Sequence, residues 1–350
     1  MAKNFKLHDS YQKKIEDEKK QRRFSTVKKG WGNCFVDHAV LNRKMFHPYF
    51  LGAWIGILFF KFLVIVLPYQ VQMFIGRCLG RALGAISPSR KYILKCNLKL
   101  AFPMMSDEER RIMAHKVMEN TGMAIFETGM AWFWSDRRLL KRCYIDEKEL
   151  RKARELAKTG KPILALTAHF LTLEITARLY ATFITPGVGI YRPSEHPVWE
   201  YTQVKGRLRK NIALIDHKDP KSMIKSLMRG IPVWYPPDQD YGRKASVFVP
   251  FFGVDKAATV VGTHNLAKVK GTRVQPIWTI RENGKYRLYV SDPLENFPTE
   301  DVVADTRRCN EVIEDMIRHA PEQYLWLHRR YKTVPDGVNP EERYPKILRN

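Results

Sequence analysis

The sequence predicts an α/β fold: a membrane-associated helix and a helical segment at the N-terminal end, then a mixed central sheet flanked by helices. Two observations carry this expectation. From Pro162 onward, short apolar runs alternate with helix-length amphipathic segments, the pattern of strands separated by crossover helices. Upstream, the 19 residues from Tyr49 to Leu67 are apolar apart from Lys61, and no comparable run occurs elsewhere.

Residues 1–48 are polar and basic, with 12 Lys+Arg, and read as an arm that is either solvated or laid on an anionic surface. As one helix, residues 49–67 would be about 28 Å long, close to the ~30 Å hydrocarbon core of a bilayer. A charge at the centre of such a helix costs roughly 2.5–3.5 kcal/mol on insertion scales. The apolar neighbours of Lys61 and snorkelling of its long stem offset that. The helix therefore spans the bilayer or is embedded in one leaflet, with a buried core helix as the remaining reading. No small-residue cleavage site precedes Pro68, so removal as a signal peptide is not expected.

The main body is read as residues 68–340, with 341–350 as a tail. Helices are expected at 69–86, ended by Pro88, then at 89–101 and 107–134. Ser106 followed three residues later by Glu109 marks a capping box. The aromatic cluster Trp132-Phe133-Trp134 at the end of the last of these helices reads as core. Strands are expected at 162–168, 186–192, 212–216, 231–236, 246–251, 273–281 and 285–291. Helices fit at 171–183, 197–210, 220–229, 257–270 and 303–320.

Sixty Lys+Arg against 36 Asp+Glu give a formal charge of +24, which attracts nucleic acid, anionic membranes, phosphorylated lipids or acidic proteins alike. The five cysteines, at 34, 78, 96, 143 and 309, have neither metal-site nor disulfide-framework spacing, in keeping with a reducing compartment. There is no Gly-x-Ser-x-Gly elbow, no Walker A loop and no His-Glu-x-x-His, and Gly187-Val188-Gly189 lacks the third glycine of a dinucleotide site. Covalent serine catalysis, P-loop nucleotide chemistry and zinc hydrolysis are disfavoured accordingly.

What remains is His169 and Glu174, separated by four residues, directly after the apolar run 162–168. Five residues put two side chains about 140° apart on one helix. If His169 ends the strand and Glu174 lies on the following helix, the carboxylate can reach the imidazole and orient it as a general base. Asp238 and Asp240 follow the strand candidate at 231–236, just past its carboxyl end, where α/β folds place site residues; Pro236 and Pro237 stiffen the turn. A turn-capping role is the alternative for both, more so for Asp240. Arg207 in Gly-Arg-Leu-Arg-Lys-Asn could bind a lipid phosphate in bidentate fashion or anchor a carboxylate, and Arg192 in Tyr-Arg-Pro is a second phosphate-binding candidate. Arg209 and Lys210 widen that basic patch.

Taken with Val233–Gly242, Ser246–Gly253 and Pro321–Thr333, these stretches follow one another in an order that resembles the late (secondary) acyltransferases of lipid A biosynthesis, the lauroyl and myristoyl transferases, over roughly residues 45–340. The resemblance implies a glycerolipid-acyltransferase-like fold. It further implies transfer of a fatty acyl chain from acyl carrier protein to the hydroxyl of a hydroxyacyl chain on a Kdo-lipid IVA type lipid A precursor. In that family the His-x-x-x-x-acid motif is catalytic, which assigns the general base to His169 and its orienting partner to Glu174. Arg207 and Asp238 match functionally important positions, with Asp238 fixing Arg207 or the acceptor, and Arg192 and Asp240 complete the substrate-binding candidates. Ser246–Gly253 would line the acyl chains. The cluster of Trp326, His328, Arg329, Arg330 and Lys332 would meet the lipid headgroup or the acidic carrier protein, or pack structurally. No cofactor or metal is expected, since a thioester is already activated; acyl carrier protein enters as carrier of the cosubstrate.

The resemblance places the catalytic domain on the cytoplasmic face of the inner membrane. A basic arm held in the cytoplasm before a single span would put that domain outside, unless the helix is monotopic or the arm is exported. Two further readings stay open. A glycerolipid or lysophospholipid acyltransferase shares the His-x-x-x-x-acid logic, but normally carries Asp in the second position and a Phe-Pro-Glu-Gly-like block, absent here. A basic nucleic-acid-binding protein would need a reader module, and none is present, so no nucleic-acid partner is expected.

Overall fold

The computed structural model of the chain describes residues 35–345. The expected basic arm up to residue 34 and the tail beyond residue 345 lie outside the described residues. The strands are β1 (Phe35–Val36), β2 (Cys143–Ile145), β3 (Ile163–Leu166), β4 (Val188–Tyr191), β5 (Ala213–Asp216), β6 (Val233–Tyr235), β7 (Ser246–Phe251), β8 (Val254–Val260), β9 (Arg273–Glu282) and β10 (Lys285–Val290). Eight of them form one mixed sheet in the order β1-β5-β4-β6-β3-β9-β10-β2, and β7 and β8 form a separate hairpin. Strands β5, β4, β6, β3 and β9 run parallel; β1 is antiparallel to β5 at one edge, and β10 antiparallel to β9 near the other.

The helices are α1 (Leu51–Val66), α2 (Tyr69–Ile86), α3 (Pro88–Ala101), α4 (Asp107–Phe133), α5 (Asp136–Leu140), α6 (Glu147–Lys158), α7 (Leu173–Phe183), α8 (Pro197–Arg207), α9 (Pro220–Met228), α10 (Gly262–Ala267), α11 (Val302–Arg318) and α12 (Pro340–Arg343). The sheet has two buried faces because its strands alternate. Leu164, Leu166 and Val233 pack with Met223 and Leu227 of α9 and Ile313 and Ile317 of α11. Ala165 and Trp234 pack on the other face with Ile175 and Leu179 of α7. Each fully buried aliphatic side chain contributes about 1.5–3 kcal/mol.

Helix α4 opens on the expected capping box, Ser106 with Glu109. Its first half gives Val117 and Met118 to one core cluster, and its second half gives Met123, Phe126 and Met130 to the other. It therefore bridges the two layers. It does so at the carboxyl end of the sheet, where Glu127 pairs with Arg281 near the end of β9. Helix α2 lies against it so closely that a Cβ on Gly122 would fall 2.0 Å from the Gly76 carbonyl oxygen, and one on Gly80 2.1 Å from that of Met118. Only glycine permits that approach.

Several expectations need correction. The helix foreseen at 257–270 is the end of β8 followed by the short α10. Ala257-Ala258-Thr259-Val260 is buried at every position and lacks an alternating polar face, so periodicity cannot tell a buried strand from a helix there, and pairing with β7 decides it. The run Ser246–Gly253, foreseen as an acyl-chain lining, buries Val249 and Phe251 in the core, with the Arg330 guanidinium over the Phe251 ring, and leaves its other strand residues half-buried. Pro88 does not merely end α2; it opens α3 at its first turn. Short β1 and β2, and helix α6, were not foreseen.

Helix α1 packs on the body along its whole length. Phe50 meets His196, Trp54 meets Tyr201, and Phe60 meets Phe126, with ring centroids 5.3, 5.9 and 5.7 Å apart. At its C-terminal end the Val64 carbonyl accepts from Trp134 Nε1 and Gln72 Nε2, and Arg138 reaches the carbonyls of Ile65 and Leu67. The opposite face leaves Ile55, Phe59 and Phe62 exposed.

Candidate active site

In β3 and β6, Leu166 and Tyr235 are register partners, and His169 and Asp238 each lie three residues further on. Adjacent parallel strands thus deliver the two side chains to the same place, past the carboxyl ends of the strands. His169 Nδ1 is 2.8 Å from Asp238 Oδ1, and the backbone amide of His169 donates to Oδ2 at 3.0 Å. The Tyr324 hydroxyl donates to Oδ2 at 2.8 Å. An ionised carboxylate only accepts, so Nδ1 carries the proton and Nε2 is left with its lone pair. Asp238 is 0% exposed. Burial pushes its pKa up, but the electrostatic interaction with His169 and the hydrogen bonds from His169 and Tyr324 outweigh that and hold it below the usual carboxylate range.

Glu174 does not orient His169. The chain turns after His169, with Leu171 N–H donating to the Gln323 carbonyl and Leu325 N–H to that of His169. Glu174 then falls in the first turn of α7 and faces α4 and α8. Its Oε1 accepts from Arg207 Nε at 2.8 Å and Nη2 at 2.5 Å, and its Oε2 from Trp132 Nε1 at 2.9 Å. Asp238 correspondingly fixes His169 and not Arg207. Burial opposes the Arg207 charge, but the Glu174 carboxylate prevails and raises the guanidinium pKa. With Nε and Nη2 taken by Glu174, that edge of Arg207 cannot grip a phosphate in the bidentate way foreseen; Nη1 has no partner among the described residues.

A cavity lies beside this pair, lined among others by Thr167, Glu174, Arg207, Asn211, Trp234 and Pro236. Thr167 and Pro236 stand two residues before His169 and Asp238 in the chain, so the cavity borders the same carboxyl ends of β3 and β6. Thr167 Oγ1, Asn211 Oδ1 and Trp234 Nε1 are buried without a protein partner. Such groups are nearly always satisfied, here by a ligand or by ordered water.

These stretches lie within residues 40–333, which match the family described as bacterial lipid A biosynthesis acyltransferase. The chain belongs to that family. It is 43% identical over 296 residues to a lipid A biosynthesis lauroyltransferase of Escherichia coli (strain K12), covering 84% of this chain and 95% of that relative. A palmitoleoyltransferase of the same pathway and strain is 37% identical over 298 residues, 85% of this chain and 96% of the relative. A myristoyltransferase is 28% identical over 301 residues, with 85% and 92% covered.

In this lipid A acyltransferase the other foreseen residues divide sharply. Arg192 is exposed beyond β4 and outside the hydrogen bonds of the pair and the imidazole. Asp240 is a structural clamp: Oδ1 accepts from the Gly242 amide and the Thr333 hydroxyl, and Oδ2 from the Thr333 amide. Asp240→Ala is expected to cost about 1.5–3 kcal/mol, as for hydrogen bonds to a charged group, read as a lower melting temperature in detergent. Lys210 is neutralised by Asp136 at 2.7 Å. Trp326 and Arg330 are buried, and Arg330 donates to the Ala258 carbonyl and Thr259 Oγ1. They hold the C-terminal strap that presents Tyr324. Burial, reinforced by His169 and Lys332, pushes His328 below the usual imidazole pKa, so it is neutral at neutral pH. Burial pushes the thiols of Cys143 and Cys309 up to about 12, which makes both poor nucleophiles.

Sequence reasoning missed Trp132 and Tyr324 as site residues. Trp132 was read as core, and it is buried; its N–H bond to Glu174 has no sequence signal.

Proposed function

We propose that this acyltransferase moves a fatty acyl chain, lauroyl or similar, from acyl carrier protein to the hydroxyl of a hydroxyacyl chain on a Kdo-lipid IVA type precursor. The carrying observation is the His169 imidazole, fixed by Asp238 through Nδ1 and with Nε2 unpartnered among the described residues, at strand ends that also border a cavity with unmatched polar atoms. His169 Nε2 takes the hydroxyl proton as the oxygen attacks the thioester carbonyl. Asp238 stabilises the imidazolium that forms. The carbon–sulfur bond then breaks, and the imidazolium returns its proton to the departing thiolate. Arg207, held by Glu174, keeps Nη1 for the oxygen atoms of the acceptor. The step needs no metal or nucleotide.

The test is purified enzyme with acyl carrier protein thioester and the phosphorylated precursor. The expected product is heavier by one acyl group in place of a hydroxyl hydrogen, with one carrier thiol released per transfer and no effect of a chelator. Thiol release without an acylated lipid would contradict the reading.

Helix α1 supports a place on the inner membrane with the catalytic domain at the cytoplasmic face. A spanning helix must leave the body, whereas α1 is tied to it from Phe50 to Val64 beside the charged Lys205 and Arg209. A monotopic α1, its outward face in one leaflet, leaves the basic arm and the catalytic domain on one side and removes the topological conflict. The full-length protein is expected to sediment with inner membranes and to need detergent for extraction. Recovery as a soluble monomer without detergent would defeat the membrane assignment.

A further inference from the structure

Between α1 and α8 runs a groove of about 800 Å³, walled by apolar side chains that include Trp54, Leu58 and Phe133. Lys61, Lys205 and Arg209 also line it. Lys61 lies over the Phe133 ring, Lys205 contacts the Tyr201 hydroxyl at 3.1 Å, and Arg209 donates to the Trp132 carbonyl. None of the three forms an ion pair among the described residues, although carboxylates neutralise Lys210 and Arg207 nearby. Three uncompensated cations on an apolar groove suit an amphiphile with an anionic head.

The groove adjoins the cavity at Glu174 and Arg207, because Trp132, Gly206 and Arg209 line both. The Trp132 indole lies on Gly206, where a Cβ would come within 2.3 Å of its ring, and is tethered to Glu174. Past it lie the three buried polar atoms of Thr167, Asn211 and Trp234 that lack protein partners. A plain hydrocarbon tail would leave them unsatisfied, whereas a chain bearing hydroxyl or carbonyl oxygens would not.

We propose that this groove is the lateral entry site for the acceptor lipid: its phosphate rests on Lys61, Lys205 and Arg209, and its hydroxyacyl chain passes Trp132 into the cavity at Glu174 and Arg207. The inference rests on the proposed reaction for the identity of the lipid, but the site itself can be tested without turnover.

Two readouts separate the possibilities. A phosphatidic acid with a diazirine in its acyl chain, photolysed on the detergent-solubilised protein without acyl donor, is expected to label Trp132 and residues 201–206. Lys61→Glu and Lys205→Glu together should reduce that labelling at least tenfold, and a diazirine diacylglycerol should label these positions weakly. In the transfer assay, the same double variant should raise KM for the acceptor at least tenfold and leave KM for the acyl carrier protein thioester unchanged. Labelling confined to Ile55, Phe59 and Phe62 on the outward face, or independent of the lipid charge, would overturn the site. So would a rise in KM for the donor alone. Labelling as expected from a protein that transfers no acyl group would leave the groove standing and refute the proposed reaction instead.

Discussion

Replacing His169 by Ala is expected to reduce acyl transfer by about 100- to 10,000-fold, the usual loss for a general base. The loss should fall on kcat, because in the proposed mechanism the imidazole works on the proton in transit and not on either substrate's affinity. Asp238→Ala should approach it. That substitution removes the acceptor for Nδ1 and for the backbone amide of His169, and it strands the Tyr324 hydroxyl. Because Asp238 is fully buried, Asp238→Asn should accompany it, keeping the volume and testing the charge apart from the packing. His169 is at the cleft, so His169→Ala should fold normally. A folded His169→Ala enzyme with near-normal turnover would remove the mechanism.

The second large effect is expected at Arg207. Arg207→Glu puts two carboxylates where a guanidinium and a carboxylate now meet at 2.5 Å, and it opens the site around Trp132. Breaking one member of a hydrogen-bonded, largely buried charge pair costs about 2–5 kcal/mol, so kcat/KM should fall ~30-fold or more. The same change at Lys13, in the basic arm, alters the net charge equally and should have far less effect on capture of the phosphorylated acceptor. Equal losses would reduce Arg207 to a contributor to bulk charge. Glu174→Ala should resemble Arg207→Ala, since each leaves the other unpaired.

Much of this site was legible in the sequence, for physical reasons that also mark where reading stopped. The apolar run before His169 and the proline-stiffened turn before Asp238 located both residues past strand ends, because a buried parallel strand has a length and composition of its own. Their pairing was not legible. It depends on β3 and β6 being neighbours in register across 69 residues, and nothing local in either segment encodes that. The five-residue spacing of His169 and Glu174 suggested a pair, but the turn between them is stitched to the strap at Gln323 and Leu325, which aims Glu174 at α4 and α8. Asp240, placed among the substrate-binding candidates, makes the bond of its turn-capping alternative, because an aspartate two residues before a glycine amide makes that bond locally. Strand β8 was lost to the opposite cause: its apolar end looks the same as one side of a buried helix.

The central claim is that Asp238, and not Glu174, acts through His169, and a cycle of double variants measures it most directly. The kcat/KM for transfer would be determined for His169→Ala alone, and with Asp238→Ala or Glu174→Ala added, using the residual rate that binding alone sustains. Adding Asp238→Ala to His169→Ala should change nothing further, because the imidazole it serves is gone. Adding Glu174→Ala should still lower the rate, through the loss of Arg207. The reverse pattern, in which Glu174→Ala becomes silent and Asp238→Ala does not, would contradict the account.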